Sequence, residues 1–135
     1  MEFPKPNERG VYCKSDAIEH RYEDLRLVVN VHVLQVDDQC WIQAVSFRKK
    51  AEGGGGTMGM GSPLTRVTGL PGKHGELDAA TESEALTSAR LTLKGIIANG
   101  LSEAGGKSVW VSTWNCVEVW VFNIGRQRDL FEGVL

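Results

Sequence analysis

The sequence predicts an α+β protein, a two-layer sandwich in which an antiparallel sheet of about five strands, in the chain order β-β-β-α-β-β, carries one main helix on one face. Two observations predict this class. Residues 81–100 carry helical signals at both ends and a single apolar stripe, whereas residues 25–50 and 108–123 are rich in alternating β-branched and aromatic residues. Because a helix with one apolar stripe must lie on another apolar layer, the strands are expected to supply that layer.

The composition narrows the class of protein further. The chain of 135 residues is expected to form a single domain, 1–135, with a hydrophobic core of its own. Fifteen basic and seventeen acidic residues give a formal net charge of −2. That balance points neither to a protein that coats nucleic acid nor to an acidic mimic of DNA, so nucleic acid is not an expected partner.

The cysteines and the first residues of the chain indicate the cellular compartment in which the protein is expected. Cys13, Cys40 and Cys116 are odd in number and show no CxxC spacing, so neither a disulfide framework nor a zinc site is expected. The first residues lack the apolar core of a signal peptide, and no apolar run reaches membrane-spanning length. We expect a cytoplasmic protein, bacterial or phage-borne, with no metal, no cofactor and no membrane association.

Residues 1–24 are predicted to form an N-terminal arm, because prolines and a glycine interrupt the charged first ten residues. Those ten residues are expected to be extended rather than regular. The polar residues 15–24 allow a short helix capped by Ser15 or Asp16.

The first two strands are predicted at residues 25–36 and 40–50, with Asp37-Asp38 as the turn between them. A two-residue loop there fixes the register of the hairpin. One face would pair Val33 with Ile42, Val31 with Ala44 and Val29 with Ser46, and would receive the helix. The other face would pair Leu34 with Trp41, His32 with Gln43, Asn30 with Val45 and Val28 with Phe47. This second face is expected to be partly covered by the N-terminal arm, by a second copy of the chain or by a ligand.

Residues 51–63 contain four consecutive glycines and are predicted to form a flexible Gly-rich loop, because ordering such a run loses much conformational entropy. A phosphate-binding loop is not favoured, since the segment lacks the GxxxxGK(S/T) pattern and no helix follows it directly. Residues 64–70 are predicted to form the third strand.

The helix at residues 81–100 is the best-defined element. Thr81 lies at the N-cap and Glu84 follows three residues later, a spacing typical of a capping box. Gly100 is expected to end the helix, and Gly95 indicates the close approach of a neighbouring backbone. The residues expected to face the sheet recur at intervals of three and four: Leu86, Ala89, Leu93, Ile96 and Ile97.

Residues 108–123 are predicted to form the last two strands, with Asn115-Cys116 as the turn, and one long bent strand is the alternative. In the hairpin, Trp110 and Trp120 point to opposite faces. The four tryptophans therefore cannot all lie under one helix: Trp41, Trp110, Trp114 and Trp120. We interpret the surplus as a second apolar surface, either a homodimer interface or a stacking platform for a base or a sugar ring.

The charged candidate for a binding site is the one basic run, Arg48, Lys49 and Lys50, at a strand end next to the Gly-rich loop. The predicted order of elements, a three-stranded sheet followed by a helix, resembles that of double-stranded-RNA-binding domains and of HicB-like antitoxin domains. The chain lacks the basic helix N-terminus of the first family and the C-terminal DNA-binding segment of the second. The resemblance therefore extends to topology and not to motifs.

The sequence shows no connected set of catalytic residues. His20, His32 and His74 are not at metal-ligand spacing to one another or to a cysteine. Cys40 with His32 is the nearest approach to a nucleophile and its base, but the predicted register places the two on opposite faces. We therefore assign no catalytic residue and no metal ligand, and we lean against an enzyme.

The tail at residues 125–135 carries the most specific short motif. Gln127, Asp129, Leu130 and Phe131, in the order QRDLF, resemble the pentapeptide by which bacterial replication and repair proteins dock on the sliding clamp. The departure is Arg128, where that family often has Leu. The resemblance implies that Leu130 and Phe131 enter an apolar pocket of the clamp while Gln127 bonds at its rim. The alternative is that the apolar residues of the tail fold back onto the sheet.

Taken together, these features favour a small non-enzymatic binding protein that self-associates as a homodimer through a sheet face and contacts a macromolecular partner. One alternative is an accessory protein that docks on the sliding clamp through its tail. The other is a small-ligand-binding protein or enzyme with a Trp-lined pocket near the Gly-rich loop.

Overall fold

The computed structural model describes residues 2–50, 58–65, 79–106 and 108–124, and within them the protein is α+β with antiparallel sheets, as the sequence predicts. The elements, in chain order, are β1 (Val11–Tyr12), a 3-10 turn (Lys14–Asp16), β2 (Ile18–Glu23), β3 (Leu27–Asp37), β4 (Cys40–Lys49), β5 (Met58–Gly61), β6 (Leu64–Thr65), α1 (Glu82–Ala104) and α2 (Ser108–Asn123). Strands β2 to β5 form one sheet in the order β2-β3-β4-β5, and β1 pairs with β6 separately. The prediction of one five-stranded sheet and one main helix is therefore wrong in the described part of the chain, which has two sheets and two helices.

The β3–β4 hairpin is present, but its register differs by one residue from the prediction. Leu34 lies opposite Ile42, and Val33 lies opposite Gln43. The chain turns at residues 38–39, where the Asp37 carboxylate accepts a hydrogen bond of 2.8 Å from the Gln39 backbone N–H. Because side chains alternate between faces, this shift moves Ile42, Ala44 and Ser46 away from the helices and brings Gln43, Val45 and Phe47 to them.

The polar segment after residue 17 forms β2, not the predicted short helix, of which only the 3-10 turn at Lys14–Asp16 is present. Strand β2 pairs along its whole length with β3, from Ile18 opposite Val33 to Glu23 opposite Val28. Asp24 makes the turn between the two strands. Its carboxylate accepts hydrogen bonds from the backbone N–H groups of Arg26 at 2.7 Å and Leu27 at 2.8 Å, and from the Tyr22 hydroxyl at 2.6 Å. Burial raises the pKa of Asp24, but these hydrogen bonds outweigh burial, and the pKa is lowered.

The Gly-rich region is more ordered at its end than predicted. Residues 51–57 of the predicted loop lie outside the described residues, but Met58–Gly61 pair with β4 as strand β5. The predicted third strand is described only at Leu64–Thr65, which pairs with β1 and not with the main sheet, and residues 66–70 lie outside the described residues. Beyond β5, the edge of β4 is occupied by Ala79, which exchanges two backbone hydrogen bonds with Trp41.

The start of α1 is as predicted. Thr81 is the N-cap, and its hydroxyl accepts a hydrogen bond of 3.2 Å from the Glu84 backbone N–H. The Glu84 carboxylate accepts in return from the backbone N–H of Ala80, at 3.0 Å, one residue earlier than in the usual capping box. The predicted stripe faces the sheet, with Leu86, Ala89, Leu93 and Ile97 buried and Ile96 packed against the same core.

The sequence predicted that α1 ends at Gly100, but the helix continues for about one more turn. The helix ends at Gly105, whose left-handed φ of 57° forms the C-cap. Gly100 instead admits a neighbour, because a Cβ atom there would overlap the indole ring of Trp114. Gly95, where a close approach was expected, faces open space.

Helix α2 occupies the segment predicted to be the second hairpin, and Asn115-Cys116 lies in mid-helix rather than in a turn. The sequence of this segment fits both the two-residue period of a strand and the 3.6-residue period of a helix. Its alternating β-branched residues suit a strand, but Thr113, Trp114, Val117 and Val121 recur at helical spacing and are the residues that α2 buries. Packing against α1 and the sheet selects the helix over local propensity. Contacts of Trp114 with Gly100, and of Arg90 with Val121, show that the two helices run antiparallel.

The two faces of the main sheet carry separate cores. The inner face, under both helices, buries Leu27, Val29, Val31, Val33 and Val45 together with the apolar stripes of α1 and α2. The outer face buries Leu34, Val36, Cys40, Ile42 and Ala44 beneath Tyr12 of β1 and Leu64 of β6. The prediction that the N-terminal arm partly covers the second face is confirmed.

The two glycines of α1 give a matched pair of variants. Gly100→Ala should lower the free energy of unfolding by about 1–3 kcal/mol, because the added methyl group overlaps Trp114 in a packed core. Gly95→Ala should leave stability unchanged or raise it by up to about 1 kcal/mol, because Ala favours the helix and the added Cβ meets nothing. Urea unfolding followed by circular dichroism measures both. A Gly100→Ala protein as stable as the parent would show that Trp114 does not pack as described.

His32 gives a prediction about pH. It lies on the outer face with 9% of its surface exposed, and its Nδ1 has no hydrogen-bond partner within the described ranges. Burial lowers the pKa of its imidazole below the ordinary value of 6.5; the Glu19 carboxylate opposes this shift and Lys14 adds to it. The unfolded chain therefore takes up the proton first as the pH falls. The His32 contribution to stability is complete above pH 6.5 and declines below it, by less than about 1.4 kcal/mol per pH unit.

The measurement is the urea midpoint of the parent and of His32→Gln at pH 7.5 and pH 5.5. The parent should lose more stability on acidification than the variant, since the other titrating groups are common to both. Equal losses would contradict the prediction.

Candidate functional site

A groove with a volume of about 770 Å³ lies between α1 and α2. The buried Ile97 and Val121 form its floor, and exposed side chains of both helices form its walls. The residues that line it are Thr87, Arg90, Leu91, Lys94, Ile97, Ala98 and Leu101 of α1 and Glu118, Val121 and Phe122 of α2. We call this feature the helix-pair groove. The spacing of three and four residues on each helix places these side chains in two parallel rows.

The rims of the helix-pair groove are apolar and open to solvent. Leu91 of α1 is 65% exposed and Phe122 of α2 is 64% exposed, and both line the groove. The other large apolar side chains that are exposed in the described part of the chain are not among the residues that line it: Ile18, Leu25, Val109 and Val119. Scattered apolar residues are normal on a protein surface, but exposed apolar side chains on both rims of a groove are typical of a binding surface.

The charged residues of the groove differ in their roles. The Arg90 side chain donates a hydrogen bond of 3.3 Å from Nε to the Val121 carbonyl and another from its guanidinium to the Ile124 carbonyl. It thereby caps the C-terminal end of α2, where carbonyl groups lack helical partners. Lys94 on one wall and Glu118 on the other are exposed, and neither is in an ion pair with another described residue.

This groove could not be recognised in the sequence, because one of its two walls belongs to a helix that was predicted as two strands. Leu91 was a possible signal, as the one large apolar residue outside the predicted stripe of α1. The residues singled out from the sequence lie elsewhere.

The four tryptophans do not form a shared platform. Trp114 is fully buried against Phe47, with ring centroids 6.1 Å apart and an edge-on angle of 72°. Trp41, Trp110 and Trp120 are half-buried and pack against the same inner core. Trp120 also lies 5.8 Å from Tyr22. The prediction that the four tryptophans cannot all lie under one helix, and that the surplus forms a second apolar surface, assumed a hairpin at residues 108–123. It is wrong because that segment is a helix, in which Trp110 and Trp120 need not point to opposite faces, and all four pack at the inner core.

The basic run is divided by strand alternation. Arg48 lies on the outer face, where it lines a cavity of about 300 Å³ with Arg21, Asn30 and Ser46 among others. Lys49 points to the helix side, with its ammonium 3.5 Å from the Glu103 carboxylate and 5.2 Å from the centre of the Trp110 ring. Lys50 pairs with Glu23 at 2.8 Å. The three side chains therefore do not act on one ligand, and neither of these two cavities is lined by a tryptophan.

The predicted geometry of Cys40 and His32 needs a correction. With the observed register both residues belong to the outer face, and not to opposite faces. They are separated by two rows of the sheet, about 13 Å along the strands, so the thiol and the imidazole are not within reach of each other. Among the described residues no cysteine forms a disulfide bond, and no group of three or more His, Cys, Asp or Glu side chains converges as a metal site would require.

Hydrogen bonds from Ser15 lower the pKa of the exposed Cys13 thiol, whose sulfur lies 2.8 Å from the Ser15 hydroxyl. No described His or Lys is positioned by a hydrogen bond or ion pair to serve as its base. The thiol therefore has no catalytic partner in this part of the structure.

The tail residues Gln127, Asp129, Leu130 and Phe131 lie outside the described residues, so the resemblance to a clamp-docking motif stays a prediction. Ile124 is the last residue described, at the end of α2. Neither described helix is long and apolar enough to cross a membrane.

Comparison with known protein families, with curated proteins and with solved structures gave no match to this chain.

The cap made by Arg90 can be tested by substitution. Arg90→Gln should lower the free energy of unfolding by about 1 kcal/mol, because two carbonyl groups at the end of α2 lose a charged donor. Lys94→Gln, one turn along the same wall, is the control and should change stability by less than about 0.5 kcal/mol. Urea unfolding compares the two proteins. Equal losses of stability in the two variants would show that the hydrogen bonds of Arg90 do not stabilise the end of α2.

Proposed function

We propose that the protein is a small non-enzymatic binding protein that self-associates as a homodimer through the helix-pair groove. The observation that supports this most directly is the exposed apolar rim formed by Leu91 and Phe122 around a groove of about 770 Å³. The sequence pointed to a sheet face as the dimer surface. Since the helices cover the inner face and β1 and β6 cover the apolar part of the outer face, the helix pair is the better candidate.

The charges of the groove favour a second copy of the chain as the occupant. Lys94 lies on the α1 wall and Glu118 on the α2 wall. A two-fold axis that runs along the groove, parallel to the helices, would place the α1 wall of one copy against the α2 wall of the other, so each Lys94 would face the Glu118 of its partner. The apolar residues Leu91 and Phe122 would then meet at the centre of the interface, where desolvated contacts contribute most to affinity. The proposal includes a cytoplasmic location and a bacterial or phage origin.

A second candidate function is docking on a bacterial sliding clamp through the QRDLF motif. It is supported by the resemblance of residues 127–131 to the short segments with which such proteins dock on the clamp. Titration of the protein with a bacterial clamp tests it, with Phe131→Ala as the variant. Unchanged binding of that variant would end this candidate. The third idea, a Trp-lined ligand pocket, has no support from the positions of the tryptophans.

If the groove is the homodimer interface, a single charge introduced there should weaken self-association. Leu91→Glu and Phe122→Glu should each weaken self-association by about tenfold or more, because each places a carboxylate in an apolar interface. Both residues are largely exposed in the single chain, so the variants should fold normally. Size-exclusion chromatography with light scattering over a range of concentrations gives the dissociation constant.

The matched control is Leu25→Glu. Leu25 is 86% exposed in the turn before β3, far from the groove, and the same substitution there should leave self-association unchanged. A parent protein that is monomeric at every concentration would contradict the proposal. Equal weakening by Leu25→Glu would show that charge alone, and not the groove, is responsible.

A further inference from the structure

The outer face of the main sheet has a polar part beyond the apolar part that β1 and β6 cover. The strand register brings Arg21 of β2, Asn30 of β3 and Ser46 of β4 into one row, because directly opposite residues point to the same face. Arg48 lies in the next row, opposite Val28. Three neighbouring strands therefore present polar side chains on one patch of the sheet.

These side chains surround a cavity of about 300 Å³, which we call the outer-face cavity. Val28, only 3% exposed, gives it an apolar floor. Its volume is at the lower end of the range of about 300–1,000 Å³ that is usual for sites of small ligands. The residues that line it all belong to the described part of the chain: Arg21, Val28, Asn30, Ser46, Phe47 and Arg48.

Strand β5 adds no side chain to the border of the outer-face cavity. Gly61 lies opposite Ser46, and Gly59 lies opposite Arg48. A Cβ atom at Gly61 would lie 3.0 Å from the Ser46 Cβ, closer than the distance of about 3.5–4.0 Å at which carbon atoms normally pack. Backbone alone therefore borders Ser46 on this side, and the Ser46 hydroxyl is not covered from β5.

The charge around the outer-face cavity is positive on balance. Arg21 and Arg48 both line it. Two carboxylates lie beside Arg21, that of Glu23 at 3.2 Å and that of Glu19 at 3.9 Å, and Glu23 is shared with the closer ammonium of Lys50 at 2.8 Å. Neither carboxylate is among the residues that line the cavity. The charged groups that face a ligand there are therefore both guanidiniums.

The donors of the outer-face cavity fit a phosphate group. A guanidinium is a planar fork that can bond two phosphate oxygens at once. Arg21 and Arg48 start from β2 and β4, which are about 10 Å apart with β3 between them, so the two forks can hold a ligand from opposite sides. The Ser46 hydroxyl can donate from the sheet below. Donors from three directions match a tetrahedral oxyanion, whereas one fork already satisfies the two oxygens of a planar carboxylate.

We propose that the outer-face cavity binds the phosphate group of a small molecule, either free phosphate or a phosphate monoester, between the guanidiniums of Arg21 and Arg48 and above the hydroxyl of Ser46. The site lies on the opposite side of the sheet from the helix-pair groove, so it does not depend on the proposed homodimer. It uses only the first residue of the basic run, because Lys49 and Lys50 pair with carboxylates outside the cavity.

Titration of the isotope-labelled full chain, followed through the NMR shifts of its backbone amides, tests the site. The probes are inorganic phosphate, glycerol phosphate and succinate, at matched ionic strength because salt screens exposed charges. Both phosphates should bind saturably with a dissociation constant on the order of 1 mM, since both arginines are exposed and Arg21 is shared with carboxylates. The shifts should centre on Asn30 and Ser46. Succinate should bind about tenfold more weakly.

Substitutions of Arg48 distinguish a phosphate fork from general attraction by charge. Arg48→Gln should weaken phosphate binding by about tenfold or more, because it removes one charged fork. Arg48→Lys keeps the charge but not the fork, and should weaken binding by about threefold or more. Lys94→Gln is the matched control, because it removes a positive charge from α1 on the other side of the sheet, and it should leave binding unchanged. Both positions are exposed, so the variants should fold, and urea unfolding checks this.

The three probes also identify the ligand. Equal affinity for the two phosphates supports free phosphate as the ligand, and tighter binding of glycerol phosphate supports a monoester. The absence of saturable binding, shifts spread over the whole surface, or succinate binding as tight as that of phosphate would overturn the proposal. Equal weakening by Arg48→Gln and Lys94→Gln would overturn it too, because net charge alone would then explain the binding. A protein that binds phosphate but stays monomeric at every concentration would refute the homodimer and leave this site standing.

Discussion

The packing of Trp114 into the space left by Gly100 holds the architecture together. The indole ring lies against the backbone of α1 on one side and meets Phe47 of the sheet edge-on on the other, so one side chain joins both helices to β4. A fully buried aromatic ring contributes several kcal/mol to stability. The position of α2 follows from this contact, and both walls of the helix-pair groove follow from the position of α2.

The start of α1 and strand β3 were predictable from the sequence because interactions between residues close in the chain determine them. Thr81 and Glu84 mark the start of α1 through local hydrogen bonds, and the β-branched run before Asp37 specifies β3. The end of α1 was misread because a glycine at a helix end and a glycine at a helix contact look alike in sequence, and only Trp114, fourteen residues later, distinguishes them. The register of the first hairpin depended on the side chain of Asp37, which moved the turn by one residue. Such choices depend on single hydrogen bonds that composition does not reveal.

The candidate site was harder to predict than the fold. Alternating Val and Trp residues in 108–123 satisfy the period of a strand and, through Trp114, Val117 and Val121, that of a helix. The choice between the two was made by tertiary contacts with α1. Since the groove exists only when this segment is helical, neither Phe122 nor Glu118 could be recognised as a groove residue. The tryptophans were predicted to form a second apolar surface. All four instead pack at the inner core, between the helices and the sheet.

The pairing of β1 with β6 has a consequence for how the chain is made. Ribosomal synthesis proceeds from the N-terminus, so β2, β3 and β4 emerge while Leu64 and both helices are still missing. At that stage the meander is apolar on both faces, with Val29, Val31 and Val33 on one and Leu34, Val36 and Ile42 on the other. Tyr12 is already present, but its strand partner is not. The nascent protein therefore passes through an interval in which both sides of its sheet are open to aggregation. The outer side can be covered once β6 is synthesised, and the inner side only when the last helix is synthesised.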